Sequence, residues 1–228
     1  VTTLNIPAPT YPFTALALTL IWETSKLLTL RTAIFDGQFT PSRKNFIPID
    51  WSLNSRDGLL YMLEPEFHFL KKRLILKPGA YFHSGTFVNQ TDSSFEKGLW
   101  GAYLVMDLVL YSKENTSLNA YGQYSISSPE LSRLQYYTGG GLRWTNPFKW
   151  PQAHDLGLAI AHARLFGQWT LVQQEFSIDH ETAVELTARI VPYPWLKVQP
   201  YFQWILRDDR GPGKPEPFIA AIRTITTF

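Results

Sequence analysis

The strict alternation of apolar and polar residues over positions 196–207 is the feature that most constrains the fold. One face of this segment carries only apolar side chains, namely Leu196, Val198, Pro200, Phe202, Trp204 and Leu206. The other face, from Lys197 to Arg207, carries a polar group at five of its six positions. A period of two residues is typical of a β-strand with one face against an apolar phase. Pro200 lacks a backbone N–H, so we expect it at a sheet edge or a bulge.

Segments with similar patterning recur along the whole chain. They are 11–23, 26–36, 59–69, 74–89, 99–112, 117–128, 135–145, 155–165, 182–191, 196–207 and 217–228. Their connections alternate roughly between short turns and long polar loops, with 38–58 and 166–180 the longest loops. Antiparallel strands of about ten residues, joined in this way, are long enough to cross a bilayer when tilted. The pattern therefore predicts an all-β fold of eleven antiparallel strands.

One segment, residues 179–191, fits both a helix and a strand. As a helix it would begin at the N-cap Asp179, and Glu181, Glu185 and Arg189 would form an i, i+4 ladder. As a strand it would present the same three residues on one face and aliphatic residues on the other. The neighbouring segments have strand patterning, which favours a strand here.

Composition excludes several classes of protein. The chain has no cysteine, which removes disulfide scaffolds, thiolate metal sites and cysteine nucleophiles. Its net charge of +2 gives no reason to expect nucleic acid as a partner. The mean hydropathy of −0.13 resembles that of a soluble protein, and the most apolar stretch, Phe13–Trp22, is too short for a membrane helix. That mean still permits a membrane β-barrel, whose wall alternates lipid-facing and lumen-facing residues.

Aromatic residues are abundant, with 8 Trp, 11 Tyr and 15 Phe in 228 residues. Four tryptophans at the ends of predicted strands are candidates for a membrane girdle: Trp22, Trp100, Trp144 and Trp195. In a barrel, such side chains collect where the hydrocarbon meets the headgroups. The alternative is that they fill the core of a β-sandwich.

The last third of the chain resembles the carbohydrate-selective porins of the OprB type. The resemblance is carried by ETAVELT at 181–187, PWLKVQPYFQWI at 194–205 and IRTITTF at 222–228. Weaker similarity extends to 30–37, 98–103, 107–111 and 139–143. The resemblance implies a transmembrane antiparallel barrel of about sixteen strands in a Gram-negative outer membrane. It also implies a passive channel for sugars, with no cofactor and no metal.

Eleven strands are fewer than the resemblance implies. Residues 1–228 are therefore predicted to form a single porin-type barrel domain that lacks its N-terminal strands, or a truncated paralogue. The loop 207–215 also departs from the family pattern. Phe228 ends the chain and is expected to act as the signal read by the barrel-assembly machinery. The other expected partners are carbohydrate solutes and outer-membrane lipid, and the protein is expected to be a monomer or a homo-oligomer.

Alternation assigns most of the charged strand residues to one face, which is the lumen face of a barrel. The candidate pore-lining residues are Arg31, Glu64, Glu66, Asp107, Arg143, Glu185 and Arg189. An Arg or Lys facing lipid at the midplane would cost about 2–4 kcal/mol. Opposed acids and bases can bind sugar hydroxyls at a constriction, and Glu64, Asp107 and Arg143 are the best candidates. Alternatively, these charges simply pair across neighbouring strands within the wall.

Two further functions fit parts of the sequence. A soluble β-sandwich or barrel could bind carbohydrate through surface aromatics. An outer-membrane barrel enzyme could use Glu64 and Glu66, which alternate on one face, as paired carboxylates. The five histidines lack the spacing of a metal site, and no catalytic residue is predicted.

Overall fold

The computed structural model describes residues 6–8, 15–37, 57–150, 153–165, 180–207 and 217–227. Within these ranges the chain forms eleven β-strands that all belong to one antiparallel sheet. Each strand pairs with the strands before and after it in sequence, so the order is β1 to β11 without a crossover. The strands are β1 Ala17–Glu23, β2 Leu28–Asp36, β3 Leu59–Phe69, β4 Leu74–Val88, β5 Phe95–Lys113, β6 Thr116–Ser127, β7 Leu134–Thr145, β8 His154–Leu165, β9 His180–Tyr193, β10 Leu196–Arg207 and β11 Phe218–Thr226.

The predicted strands are confirmed in number and order. The ambiguous segment is the strand β9, because β8 and β10 supply hydrogen-bonding partners on both of its sides. The expectation for Pro200 is wrong: this residue lies in β10, which pairs with both β9 and β11. The pairing with β9 is interrupted at Gln199–Pro200 and resumes in the same register at Tyr201. The Thr187 hydroxyl donates to the Pro200 carbonyl over 3.3 Å at this interruption.

The registers sort the side chains into two faces. Residues directly opposite each other in an antiparallel sheet point to the same side. Arg31 lies opposite Glu64, Asp107 opposite Tyr121, and Arg143 opposite Asn119, so the polar side continues from strand to strand. We call this side the polar face. The other side, the apolar face, carries Leu18, Leu30, Leu104, Leu142, Leu158, Leu186, Phe202 and Ile222.

The apolar face is uncovered in the described structure. Leu18 is 73% exposed and Ile222 is 70% exposed, and many other large apolar side chains on this face are also exposed. A β-sandwich would bury this face against a second sheet, whereas all eleven described strands belong to a single sheet. A contiguous apolar surface of this size requires an apolar environment. The β-sandwich alternative is therefore not supported.

The two ends of the sheet differ. The connections at one end, residues 24–27, 70–73, 114–115, 146–153 and 194–195, are mostly short. The connections at the other end, residues 37–58, 89–94, 128–133, 166–179 and 208–217, are mostly longer. We call these the short-turn end and the long-loop end. The helical turn Leu70–Lys72 aside, the described chain is strand and loop, and it contains no helix able to span a membrane.

The four girdle candidates are exposed and lie toward both ends of the sheet. Trp22 and Trp144 lie on the apolar face near the short-turn end, opposite Leu30 and Leu118. Trp195 lies in the turn before β10 and stacks on Tyr193, with ring centroids 5.4 Å apart. Trp100 lies on the apolar face in the long-loop half of β5, opposite Phe82. Phe228, the expected assembly signal, lies outside the described residues.

A small buried cluster covers part of the polar face toward the long-loop end. It consists of Leu60, Tyr81, Leu99 and Tyr103 from β3, β4 and β5. Ile6 and Ala8, from the N-terminal segment, and Leu131, from the β6–β7 connection, pack against it. The Tyr81 hydroxyl donates to Ser127 Oγ over 3.0 Å, so its polar atom is satisfied within the cluster. The polar face is thus partly covered toward the long-loop end.

Candidate functional site

All seven predicted pore-lining residues lie on the polar face. The registers carry this face from β2 to β9, and the β3–β4 pairing is interrupted at residues 64–66. They fall into three groups along the sheet rather than one. The first group contains Arg31, Glu64 and Glu66, the second contains Asp107, and the third contains Arg143, Glu185 and Arg189. The structure thus places the seven residues on the predicted face, and their division into three groups was not predicted.

In the first group the two glutamates have different partners. Arg31 donates to Glu66 through Nη2 at 3.0 Å and through Nε at 3.1 Å. His68 Nε2 lies 3.1 Å from the other oxygen of Glu66. Glu64 accepts a 2.7 Å hydrogen bond from the Tyr103 hydroxyl. Glu66 is therefore held by Arg31 of the neighbouring strand β2, as the alternative of pairing within the wall predicts. Glu64 is held instead by Tyr103 of β5, two strands away.

Gly79 makes room for this arrangement. It lies opposite Tyr103, and a Cβ atom at Gly79 would come within 2.1 Å of the tyrosine ring. The ring lies over the glycine backbone, and this position brings its hydroxyl to Glu64. A residue with any side chain at position 79 would displace the ring.

Gly79→Ala is expected to destabilise the protein by about 1–3 kcal/mol, since overpacking forces a well-placed ring out of position. Thermal unfolding of the detergent-solubilised protein measures the change. Tyr103→Phe is the matched variant, because it keeps the ring and removes only the hydrogen bond to Glu64. If Gly79→Ala unfolded at the wild-type temperature, the close packing of Tyr103 on Gly79 would be contradicted.

The second group pairs β4 with β5. Lys77 Nζ lies 3.0 Å from Asp107 Oδ2, and both side chains are partly exposed. Asp107 also lines a cavity of about 270 Å³ with Tyr121 and Arg143. This cavity places the second group beside the third.

The third group is built around Asp155. Arg143 Nη2 donates to Asp155 Oδ2 over 2.9 Å, and Arg189 Nη2 contacts the same oxygen. Asp155 is 8% exposed, whereas its two arginine partners are much more accessible. One buried carboxylate therefore orients two guanidinium groups, and the exposed N–H donors of these groups are available to a ligand.

A groove of about 310 Å³ lies beside this pair of arginines. Its polar lining consists of Tyr121, Arg143, Asp155, Glu185, Thr187, Arg189 and Gln199. Its floor is β8, whose polar-face residues after Asp155 are all small: Gly157, Ala159, Ala161 and Ala163. The small residues leave space over the sheet, and the larger polar residues of β6, β7, β9 and β10 surround that space. The volume lies at the lower end of the range for small-molecule sites, about 300–1,000 Å³.

Sequence reasoning missed three members of these groups. Tyr103 and Lys77 are partners of predicted acids, and Asp155 is the partner of two predicted bases. The sequence did contain a signal for Asp155, because its alternation with Leu156 assigns it to the polar face. Its role nevertheless depends on the β7–β8 and β8–β9 registers, which bring Thr145 and Arg189 opposite it.

The described ranges contain no group of three or more His, Asp or Glu side chains able to hold a metal ion.

Comparisons with known proteins agree with this architecture. The sequence model of the family described as "Carbohydrate-selective porin, OprB family" matches residues 2–228. The solved structure of Pseudomonas putida OprB at high pH is similar to this chain, with a TM-score of 0.80 and 13% identity. The match covers 96% of this chain and 60% of that one. No curated protein sequence matches the chain.

A second solved structure, the outer-membrane channel DcaP of Acinetobacter baumannii, is similar with a TM-score of 0.57 and 10% identity. That match covers 92% of this chain and 62% of DcaP. The chain thus spans about three fifths of the length of the two solved channels. At these identities the structural likeness establishes the β-barrel fold, and the match over residues 2–228 establishes the family. The protein belongs to the OprB family of carbohydrate-selective porins, and its location is the outer membrane.

Proposed function

We propose that this chain forms the wall of a passive outer-membrane channel through which carbohydrates diffuse. The groove beside Arg143 and Arg189 is the observation that carries the proposal. It combines hydrogen-bond donors, acceptors and an aromatic ring above a floor of small residues. In the barrel, the polar face lines the lumen and the apolar face contacts lipid.

The lining of the groove suits a sugar. Arg143 and Arg189 supply N–H donors, and Glu185 supplies an acceptor four residues from Arg189 along β9. The ring of Tyr121 offers an apolar surface to the C–H groups of a sugar. These groups replace the water that a sugar sheds on entering a narrow pore.

Weak contacts spread over several groups suit transport better than one strong site. A solute must enter and also leave, so binding at each point has to be modest. The three groups lie side by side on the polar face, and Tyr121 and Arg143 line both the cavity beside the second group and the groove beside the third. We infer that a sugar passes from one group to the next, without one residue dominating its binding.

We also propose that the protein catalyses no reaction. The pair Glu64 and Glu66 is the strongest candidate for paired acids, and both carboxylates already accept hydrogen bonds or ion pairs from Tyr103, Arg31 and His68. A glycosidase needs one free nucleophile or base and one protonated acid. Release of reducing sugar from oligosaccharides by the purified protein would contradict this proposal.

The remaining expectations are proposals of the same kind. Residues 1–228 belong to a single porin-type barrel domain. Trp22, Trp100, Trp144 and Trp195 contact the interfaces of the bilayer, since exposed tryptophans favour that depth. Phe228 is read by the barrel-assembly machinery, and a polar residue there lowers the amount of protein in the outer membrane. The assembled protein is a monomer or a homo-oligomer.

Sugar-dependent block of the ion current through single channels in planar bilayers tests the proposal. Tyr121→Leu is expected to raise the sugar dissociation constant by about two- to tenfold, because it removes the aromatic surface from the groove. Tyr124→Leu is the matched control: Tyr124 lies on the same strand but on the apolar face, opposite Leu104. Its replacement should leave the block unchanged. A channel whose current is insensitive to mono- and disaccharides would overturn the proposed function.

A further inference from the structure

A polar patch interrupts the apolar face at the long-loop end of β7, β8 and β9. It consists of Tyr136, Thr138, His162, Arg164, His180 and Thr182, and we call it the outer polar patch. The registers place these residues in two adjacent rows. Thr138, His162 and Thr182 are opposite one another in the first row, and Tyr136, Arg164 and His180 in the second. Strands are about 4.8 Å apart, so the patch spans about 10 Å across three strands.

The patch is internally connected. His162 Nε2 lies 3.2 Å from the Tyr136 hydroxyl, and His162 Nδ1 lies 2.8 Å from Thr182 Oγ1. The rings of His162 and His180 are 5.6 Å apart. Hydroxyls on both neighbouring strands therefore hold the His162 ring in place. Arg164 is exposed beside this network, and the described part of the chain offers it no carboxylate partner.

The outer polar patch contains basic side chains and no acidic ones. On the apolar face of strands β6 to β11, the described residues include no Asp, Glu or Lys, and Arg164 is the only arginine. His162 and His180 add two groups that can carry positive charge. A cation on this face is compatible with the bilayer only near an interface, where its cost falls from about 2–4 kcal/mol to about 0–1 kcal/mol.

The length of β8 places Arg164 at such an interface. Ten residues separate His154, at the short-turn end, from Arg164. At about 3.3 Å per residue they span about 33 Å along the strand, and a tilt of about 45° reduces this to about 23 Å of height. The lipid-facing apolar band of an outer-membrane barrel is about 25 Å tall. With His154 at one edge of this band, Arg164 lies at the other edge.

We propose that the outer polar patch binds the phosphate of an anionic lipid headgroup in the outer leaflet. The long loops of outer-membrane barrels are extracellular, so the long-loop end faces that leaflet. Arg164 supplies a forked pair of N–H donors to the phosphate, which is the geometry that arginine favours. Tyr136 and His180 flank Arg164 in the second row, and the acyl chains lie on the neighbouring apolar residues Ile160, Trp204 and Leu206.

Native mass spectrometry of the full-length protein with diphosphorylated lipid A tests this site. The wild-type protein should retain the lipid, and Arg164→Gln should lower the retained fraction about tenfold, since a charge-assisted hydrogen bond to phosphate is lost. Arg223→Gln is the matched control, because Arg223 lies on the polar face opposite Gln199. It should retain lipid as the wild type does.

Three outcomes would overturn the proposal. Equal retention of dephosphorylated lipid A by the wild type would show that the acyl chains alone are bound. Equal retention of the diphosphorylated lipid by Arg164→Gln would remove Arg164 from the site. Displacement of the lipid by millimolar inorganic phosphate would indicate a free-anion site. Because single-channel conductance monitors the pore separately, Arg164→Gln should leave it unchanged, and this also verifies that the variant is folded.

Discussion

Replacement of Asp155 by asparagine is expected to destabilise the protein by about 1–3 kcal/mol. Asp155 is buried and is the shared acceptor of Arg143 and Arg189, so the change removes the negative charge on which two guanidinium groups converge. Breaking a fully buried ion pair costs about 3–5 kcal/mol, and the smaller value here reflects the partial exposure of both arginines. The effect is measured as the midpoint of thermal unfolding. Electrophoresis follows this transition through the loss of the band of the compact, folded protein.

The same variant should change the ion selectivity of the channel. Two arginines would remain in the groove without their neutralising carboxylate, which raises the positive potential at that point. The permeability ratio should therefore shift toward anions, and the shift should weaken at high salt because the charges are screened. Reversal potentials across a bilayer with a potassium chloride gradient measure this ratio directly.

Asp107→Asn is the matched control for charge. It removes one negative charge from the same face, but Asp107 is 48% exposed and has Lys77 as its ion-pair partner. Its loss of stability should stay below about 1 kcal/mol, while its selectivity shift should have the same sign. Equal losses of stability in the two variants would contradict the role of Asp155 as the anchor of both arginines.

Sequence periodicity predicted the sheet well because one physical requirement acts at almost every strand position. A side chain on the apolar face must be compatible with lipid, so alternation identified even β9, whose residues also suit a helix. The two faces assigned to Leu196–Arg207 agree with its pairing to β9 and β11. Strand ends were less well predicted: β5 begins at Phe95 rather than Leu99, since the β4–β5 hairpin continues beyond a bulge between His83 and Thr86.

The contacts within the candidate site could not be predicted from the sequence alone. Alternation predicts the face on which Glu64 lies but not its hydrogen-bond partner. In the structure this partner is Tyr103 rather than Arg31, although Arg31 lies directly opposite Glu64. The donor that binds Glu64 is decided by side-chain length and by the space above Gly79. The convergence on Asp155 likewise requires the β7–β8 and β8–β9 registers to be known together. The outer polar patch departs from the alternation of apolar and polar residues, and the interfacial position that we propose for it accounts for this departure.

The assignment of a polar face and an apolar face to the sheet is tested most sharply by two arginine substitutions at adjacent positions of β8. Leu158 is 50% exposed on the apolar face, about 13 Å along the strand from His154 and 20 Å from Arg164, so it lies near the bilayer midplane. Leu158→Arg should cost about 2–4 kcal/mol and lower the amount of folded protein in the outer membrane. Channels that do assemble should conduct normally, because the new side chain lies outside the lumen.

Ala159→Arg should have the opposite effects. Ala159 is on the polar face, opposite Gly141 and Glu185, and forms the floor of the groove. An arginine there can pair with Glu185 and enters open space, so stability should change by less than about 1 kcal/mol. The side chain would fill much of the groove, so single-channel conductance and sugar-dependent block should both fall. If the two variants behaved alike, in stability or in conductance, the assignment of faces to β8 would be wrong. Natural Arg164 shares the apolar face with Leu158, and at the interfacial depth proposed for it an outward charge costs only about 0–1 kcal/mol.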